Sequence, residues 1–338
     1  MPTRAIRGST VAAIALACAV TGTALLLAGC GPDETTNAVP TASSAPAVPT
    51  NPPTGKPTSV PTRSTPTASP AMNGTAGSRL TISNGTRYVL MNGTSVDFGT
   101  AVRDLTWSPD GRKAVFVDGD GDLVTADPGG GGRVVVARHA AGQSWSHPAW
   151  ESVPSSYGHT LPQQILFVAD AGGVTTLETV PADAVNGTPT ALPLQLGEGR
   201  PEVPQTANTW PNTGGGSSDV YANTQTGDIY IRDGYARMDS SDSVFTPGTE
   251  PTLSTDGEEV VFVRSVGGHD HIFEQQVDRQ GSAKDLTPNA TVDYSEPAVS
   301  PDRTTIAVRT PDGIATLPAD GSAAPRLVST DHGLPAYR

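Results

Sequence analysis

Cysteine is almost absent. The chain of 338 residues holds two, Cys18 and Cys30, both within the first 30 positions. No disulfide framework or multi-cysteine metal site can therefore form further along. Charged residues make up 16% of the chain and aromatics 5%, which disfavours a helical bundle or coiled coil rich in Ala, Glu, Lys and Leu at helical spacing. Positive charge is scarce: 21 Lys and Arg stand against 34 Asp and Glu, a net charge of −13. The first 29 residues hold Arg4 and Arg7 and no acids, so the remainder carries −15. Such a surface repels phosphate, which argues against nucleic acid as a partner, and gains nothing from anionic lipid headgroups. Two catalytic signatures are missing. Gly142-Gln143-Ser144-Trp145-Ser146 fails the Gly-x-Ser-x-Gly nucleophile elbow at its last position, and no Gly-rich phosphate loop ending in Gly-Lys-Ser/Thr occurs. Glycine and proline, by contrast, number 37 and 31, a fifth of the chain. That favours many short strands joined by tight turns.

Residues 1–29 read as an export signal. Arg4 and Arg7 form its charged start, and Val11 to Leu27 is almost wholly apolar or small. Leu27-Ala28-Gly29-Cys30 follows and resembles a bacterial lipoprotein lipobox. The resemblance implies a diacylglycerol on the Cys30 thiol, cleavage after Gly29, and an extracytoplasmic chain held to the cell membrane by lipid. Two acyl chains at about 0.8 kcal/mol per buried CH₂ give a lasting anchor. The alternatives are a plain secretory signal and a retained span, for which the apolar run is at the lower length limit.

A tether comes next. Residues 30–77 begin with the lipidated Cys30, and the 47 residues after it contain ten prolines among Thr, Ser and Ala, with no Leu, Ile or Phe. This segment cannot bury enough apolar surface to offset its ordering entropy. It reads as a solvated spacer, about 40 Å across as a coil and roughly 145 Å fully extended.

Residues 78–338 contain a repeat. Trp107-Ser108-Pro109-Asp110-Gly111, Leu253-Ser254-Thr255-Asp256-Gly257 and Val299-Ser300-Pro301-Asp302-Arg303 each precede a short apolar run. Each is strand, turn, strand: Pro fits the second turn position, Asp bonds locally, and Gly accepts positive φ. Each unit continues through a third strand and a Gly turn into a fourth, as in Leu123-Val124 leading through Asp127 and Gly129 to Val134-Val135-Val136. Four strands per unit describes a propeller blade. A proline two residues before an apolar residue marks first strands at Pro148, Pro201, Pro251, Pro297 and Pro335, and Leu105 takes that place before Trp107. The spacings are 43, 53, 50, 46 and 38 residues, near the roughly 40–50 residues of a blade. That makes six first strands. The last has no partners after it, while Leu80–Phe98 reads as three strands around Asn84-Gly85 and Asn92-Gly93, strong hairpin signals. The expected fold is all-β: a six-bladed β-propeller of four-stranded blades, with the N- and C-terminal strands sharing the closing blade.

These units resemble the WD40-like repeats of the TolB-type six-bladed propeller. That family carries an α/β domain before its propeller, where this chain has a Pro/Thr tether, so the resemblance does not extend to the Tol–Pal role. The propellers that end actinobacterial lipoproteins of the LpqB type are closer in architecture, and they too have a further domain. The resemblance implies a non-enzymatic module that binds a protein or envelope partner, as an accessory to an envelope or sensor complex. The alternative is a propeller enzyme of lactonase, lyase or glycosidase type using channel carboxylates.

Several residues are site candidates. Those preceding the first-strand prolines, Asp104, His147, Arg200, Glu250, Glu296 and Leu334, fall at one mouth of the channel. Their polar members are placed to meet a cation or basic ligand, or are solvated strand ends. Two long spacings place insertions at about Ser152–Gln163 and Pro204–Ser217, which puts Tyr157, His159 and Trp210 on one face as a partner-contact surface. Asp118, Asp120 and Asp122 resemble the start of a calcium loop. Leu123 and Gly129, however, stand where such a loop needs Gly and a bidentate Glu, so a hairpin turn is the favoured reading and no cofactor is expected. His269-Asp270-His271 lacks a third ligand and reads as a turn. The Asn-Gly-Thr triplets at 73, 84, 92 and 186, with Asn289-Ala290-Thr291, match glycosylation sequons but read as turn chemistry.

Overall fold

The computed structural model describes residues 72–151, 163–195, 203–214, 218–233, 241–278 and 282–338. Within them the chain makes six four-stranded antiparallel sheets. One blade is built from both chain ends, which closes the ring. Leu80–Ser83 (β1), Tyr88–Met91 (β2) and Thr94–Asp97 (β3) pair with the last strand, Leu334–Tyr337 (β24), in the order β24-β1-β2-β3. Leu80 faces Tyr337 and Ser83 faces Leu334 across that join.

The other five blades each use consecutive strands. They are Arg103–Trp107, Ala114–Val117, Leu123–Ala126 and Val134–Ala137 (β4–β7); Gln143–Glu151, Gln164–Ala171, Val174–Pro181 and Thr190–Ala191 (β8–β11); and Asn208–Thr213, Ser218–Asn223, Asp228–Asp233 and Ser241–Pro247 (β12–β15). Thr249–Leu253, Glu259–Val266, His269–Gln276 and Lys284–Asp285 (β16–β19), then Ser295–Val299, Thr305–Thr310, Gly313–Pro318 and Arg326–Ser329 (β20–β23), complete the set. The innermost strands touch in the cyclic order β4, β8, β12, β16, β20, β24 and back to β4. Joining the two ends in one sheet removes the open edge that an unclosed ring would present.

Side-chain alternation explains the packing. Ala114 and Phe116 on β5 enter the core shared with the closing blade, while Val115 and Val117 enter the core shared with β8–β11. On β17, Val260 and Phe262 face one neighbour and Val261 and Val263 the other. A strand buried on both faces reads as a continuous apolar run, and its period of two divides it between two cores. Six hydrophobic clusters result, one at each blade interface.

The Ser-x-Asp turns repeat atom for atom. Ser108, Ser254 and Ser300 donate Oγ–H to Asp110, Asp256 and Asp302 at 2.6, 2.6 and 2.7 Å. The same Oγ atoms accept the backbone N–H of Lys113, Glu259 and Thr305, each at 3.0 Å. These hydrogen bonds hold the Asp carboxyls below their ordinary value, aided at Asp256 by Arg303 and opposed there by burial. All three turns join first to second strands and so lie on one face of the ring.

Candidate binding site at the channel mouth

Each of the five innermost strands β4, β8, β12, β16 and β20 contains a β-bulge, in which two residues face one on the neighbouring strand. The first residue of each pair is Asp104, His147, Trp210, Glu250 or Glu296, with φ of 54°, 49°, 47°, 50° and 50°. The second is Leu105, Pro148, Pro211, Pro251 or Pro297. A bulge leaves a residue unpaired, and proline has no N–H to lose there. The left-handed conformation costs a non-glycine residue about 1–2 kcal/mol, yet none of the five is glycine. Leu334 on β24 holds the sixth place, in a strand pairing without a bulge.

The expected mouth residues Asp104, His147, Glu250 and Glu296 thus occupy equivalent positions, and Arg200 lies outside the described residues. The third-blade assignment is corrected. Its first strand is β12, marked by Pro211 rather than Pro201. The proline rule misses it because the residue two positions on is the polar Thr213. The long spacing there precedes β12, between Ala191 and Asn208, and does not follow it as Pro204–Ser217. Trp210 therefore sits on an innermost strand, not on a loop beside Tyr157 and His159, which themselves lie outside the described residues. The insertion between Glu151 and Gln164 falls where the spacing placed it.

A cavity of about 220 Å³ fills the channel and takes residues from all six innermost strands. Asp104, His147, Trp210, Glu296 and Leu334 line its proline-bearing mouth, and Trp107 and Arg338 lie toward the other end. The carboxylates at the mouth also join blades. Asp104 Oδ2 accepts the His147 backbone N–H at 3.1 Å, and Glu250 Oε2 accepts that of Glu296 at 2.5 Å. Glu296 Oε2 pairs with Arg309 at 3.1 Å. The His147 and Trp210 rings meet edge to face with centroids 5.2 Å apart. Burial pushes the Glu250 carboxyl up to about 7. The Glu296 and Asp270 charges add to that push, while the Glu296 N–H and Arg309 oppose it.

The other candidates are engaged locally. Asp118 Oδ1 accepts the N–H groups of Asp120 and Asp122 at 2.9 and 3.0 Å, closing the β5–β6 turn. Asp122 pairs with Arg138 at 2.7 Å and with His139 Nδ1 at 3.1 Å. His269 and His271 turn Nδ1 to different partners, Asp293 at 3.1 Å and Asp285 at 2.9 Å. Among the described residues, no three His, Cys, Asp or Glu side chains gather as a metal-binding group.

One cluster has no sequence signal beyond its residue types. Asp219, nearly fully buried, pairs with Arg232 at 3.0 Å. Asp242, also buried, accepts the Tyr221 hydroxyl at 3.0 Å and the Gln195 N–H at 2.8 Å. Burial, with Glu151 and Asp242 nearby, pushes Asp219 up against the pull of Arg232.

Neither a family model nor a curated protein matches the sequence. Solved structures do match the fold. TolB from Acinetobacter baumannii superposes with a TM-score of 0.55 at 17% identity, covering 76% of this chain and 65% of that one. The putative TolB from Agrobacterium tumefaciens gives 0.53 at 18% identity, over 75% and 91% of the two chains. The fold is a TolB-like propeller. In this TolB-like ring all four tryptophans lie on the innermost strands β4, β8 and β12, and Trp107, Trp150 and Trp210 line the channel.

Proposed function

We propose that the chain is an extracytoplasmic lipoprotein, anchored by lipid on Cys30 at the end of a 1–29 signal and lifted on the 30–77 tether. Its propeller, over 78–338, binds a protein or envelope partner without transforming it, as an accessory to an envelope or sensor complex. The observation that carries the non-enzymatic reading is the use of the channel acids. Asp104 and Glu250 each accept a backbone N–H of the next blade, and Glu296 pairs with Arg309. Groups fixed in this way hold the ring together. The likeness to TolB structures supports the binding role by fold alone. Partner contact is assigned to the face carrying the 152–163 insertion, with Tyr157 and His159 as its candidates.

The enzyme reading has one observation in its favour: Glu250, raised to about 7, beside the Glu296 carboxylate. A carboxyl raised by burial beside a second acid is a recurring feature of acid–base catalytic sites.

Crosslinking in intact cells, read by mass spectrometry, tests the partner role. A reproducible envelope protein crosslinked through the 152–163 loop supports it. Crosslinks confined to copies of the chain itself overturn it. Cys30→Ala tests the anchor: the variant leaves the membrane fraction if the lipid reading holds, and an unchanged membrane fraction refutes it.

A further inference from the structure

The cavity at the channel mouth has a definite chemical character. Asp104 and Glu296 line it, and Glu250 on the neighbouring strand accepts the Glu296 backbone N–H. Arg309 pairs with Glu296, and among the described residues Asp104 and Glu250 make no ion pair. The cation at the far end, Arg338, is engaged elsewhere, with its guanidinium over the Trp107 ring at 5.5 Å and Nε–H donated to the Gly111 carbonyl at 2.9 Å. Burial foremost, with the Glu296 and Asp270 charges adding to it and Arg309 opposing, raises Glu250 to about 7.

An aromatic wall completes the mouth. Trp210 lies against His147, and its indole N–H is buried with no partner among the described residues. Both residues hold positive φ, at 47° and 49°. A flat cation stacks on an indole face and pairs with carboxylates at its edge. The cavity, at about 220 Å³, falls below the roughly 300–1,000 Å³ of pockets for drug-sized ligands and cofactors. It has room for a group of side-chain size.

We infer that the proline-bearing mouth of the channel is a binding site for a guanidinium-type organic cation, held between the Trp210 indole and the Asp104 and Glu296 carboxylates. The cation comes either from a free small molecule or from an arginine side chain of another protein, and the same groups recognise both. The site does not depend on the partner reading above, because small probes address the cavity alone.

The test is titration of the full chain in detergent micelles, followed by tryptophan fluorescence and calorimetry. The probes are agmatine, Nα-acetyl-arginine methylamide and the neutral citrulline analogue of the latter. At least one cationic probe is expected to saturate, about tenfold or more tighter than the citrulline analogue. Agmatine binding alone assigns a free cation, and binding of the arginine derivative alone assigns a protein side chain. Asp104→Asn and Glu296→Gln keep a carbonyl acceptor at each position, so their melting temperatures should hold while cation affinity falls about fivefold or more. Trp210→Leu should lose affinity similarly and shrink the fluorescence response. The inference is overturned if neither cation saturates below about 10 mM, if the citrulline analogue binds equally well, or if the Asn and Gln variants, folded by their melting curves, bind as the parent does.

Discussion

Asp104 and His147 sit at equivalent bulges of adjacent blades, and the carboxylate of the first accepts the backbone N–H of the second at 3.1 Å. Glu250 and Glu296 repeat the relationship one acid size up, at 2.5 Å. In both pairs a side chain on one innermost strand satisfies a backbone donor on the next, so the ring is stitched at its mouth by polar bonds as well as by the cores between blades. Removing the acceptor leaves a half-buried N–H unpaired, at a cost of about 1–3 kcal/mol. Asp104→Ala should lower the free energy of unfolding in urea by that order. Asp104→Asn retains an oxygen acceptor and should stay within about 0.5 kcal/mol of the parent. Equal loss in both variants would show that the carboxylate charge, not the hydrogen bond, matters.

Glu250 gives the ring a pH dependence with a defined sign. Its folded value of about 7 lies above the ordinary 4.5, so the folded state binds the proton more tightly than the unfolded chain. Stability from this group is present in full below about 4.5 and is lost as pH rises through about 7. At roughly 1.4 kcal/mol per pH unit the change is on the order of 3 kcal/mol. Glu250→Gln keeps an acceptor for the Glu296 N–H and removes the titration. It should match the parent at pH 4 and exceed it at pH 8 in urea unfolding. Parallel pH curves for the two proteins would disprove the assignment.

The ring was legible in the sequence where turns and strands carry local signals. The Ser-x-Asp turns mark first-to-second strand connections because Ser and Asp bond the turn backbone themselves. Asn-Gly at 84 and 92 marks two hairpins at the N-terminus, and the unpartnered last strand requires them. The third blade was misplaced by ten residues, because Thr213 puts a polar group where the other first strands carry an apolar one. The bulge itself left a trace in the dipeptide Trp210-Pro211, which repeats the pattern of His147-Pro148, Glu250-Pro251 and Glu296-Pro297. The Asp219, Arg232 and Asp242 cluster was not legible, since strands β13, β14 and β15 bring it together only in three dimensions.

Arg303 stands where the two sister turns carry Gly111 and Gly257. It keeps the left-handed φ of those glycines, at 58°, and reaches across the blade interface to Asp256 and to Glu258. Two opposing effects follow. The conformation costs a non-glycine residue about 1 kcal/mol, and half-exposed ion pairs return a similar or smaller amount. Arg303→Gly relieves the first and loses the second, so it should unfold within about 0.5 kcal/mol of the parent. Arg303→Ala loses the ion pairs and keeps the strain, and should fall about 1 kcal/mol below the glycine variant. A glycine variant less stable than the alanine variant would show that the backbone is not strained at this turn.

Four Asn-Gly steps, at 73, 84, 92 and 186, expose the chain to deamidation, in which the glycine nitrogen attacks the asparagine side-chain carbonyl and expels ammonia. In the folded ring each glycine N–H is already committed. Gly74, Gly85 and Gly187 donate to the carbonyls of Val328, Val102 and Val136 at 2.7, 2.9 and 2.7 Å, and Gly93 donates to the Thr75 hydroxyl at 2.9 Å. Cyclisation must then wait for local opening, which is easiest near a chain end or a side-chain acceptor. Incubation at mildly alkaline pH with peptide mass mapping should show all four steps slower than in urea-unfolded protein, with Asn92 faster than Asn84 and Asn186. Thr75→Ala removes the acceptor for Gly93 and should accelerate Asn92 while leaving Asn84 and Asn186 unchanged. Equal rates in folded and unfolded protein would mean that these glycine hydrogen bonds offer no protection.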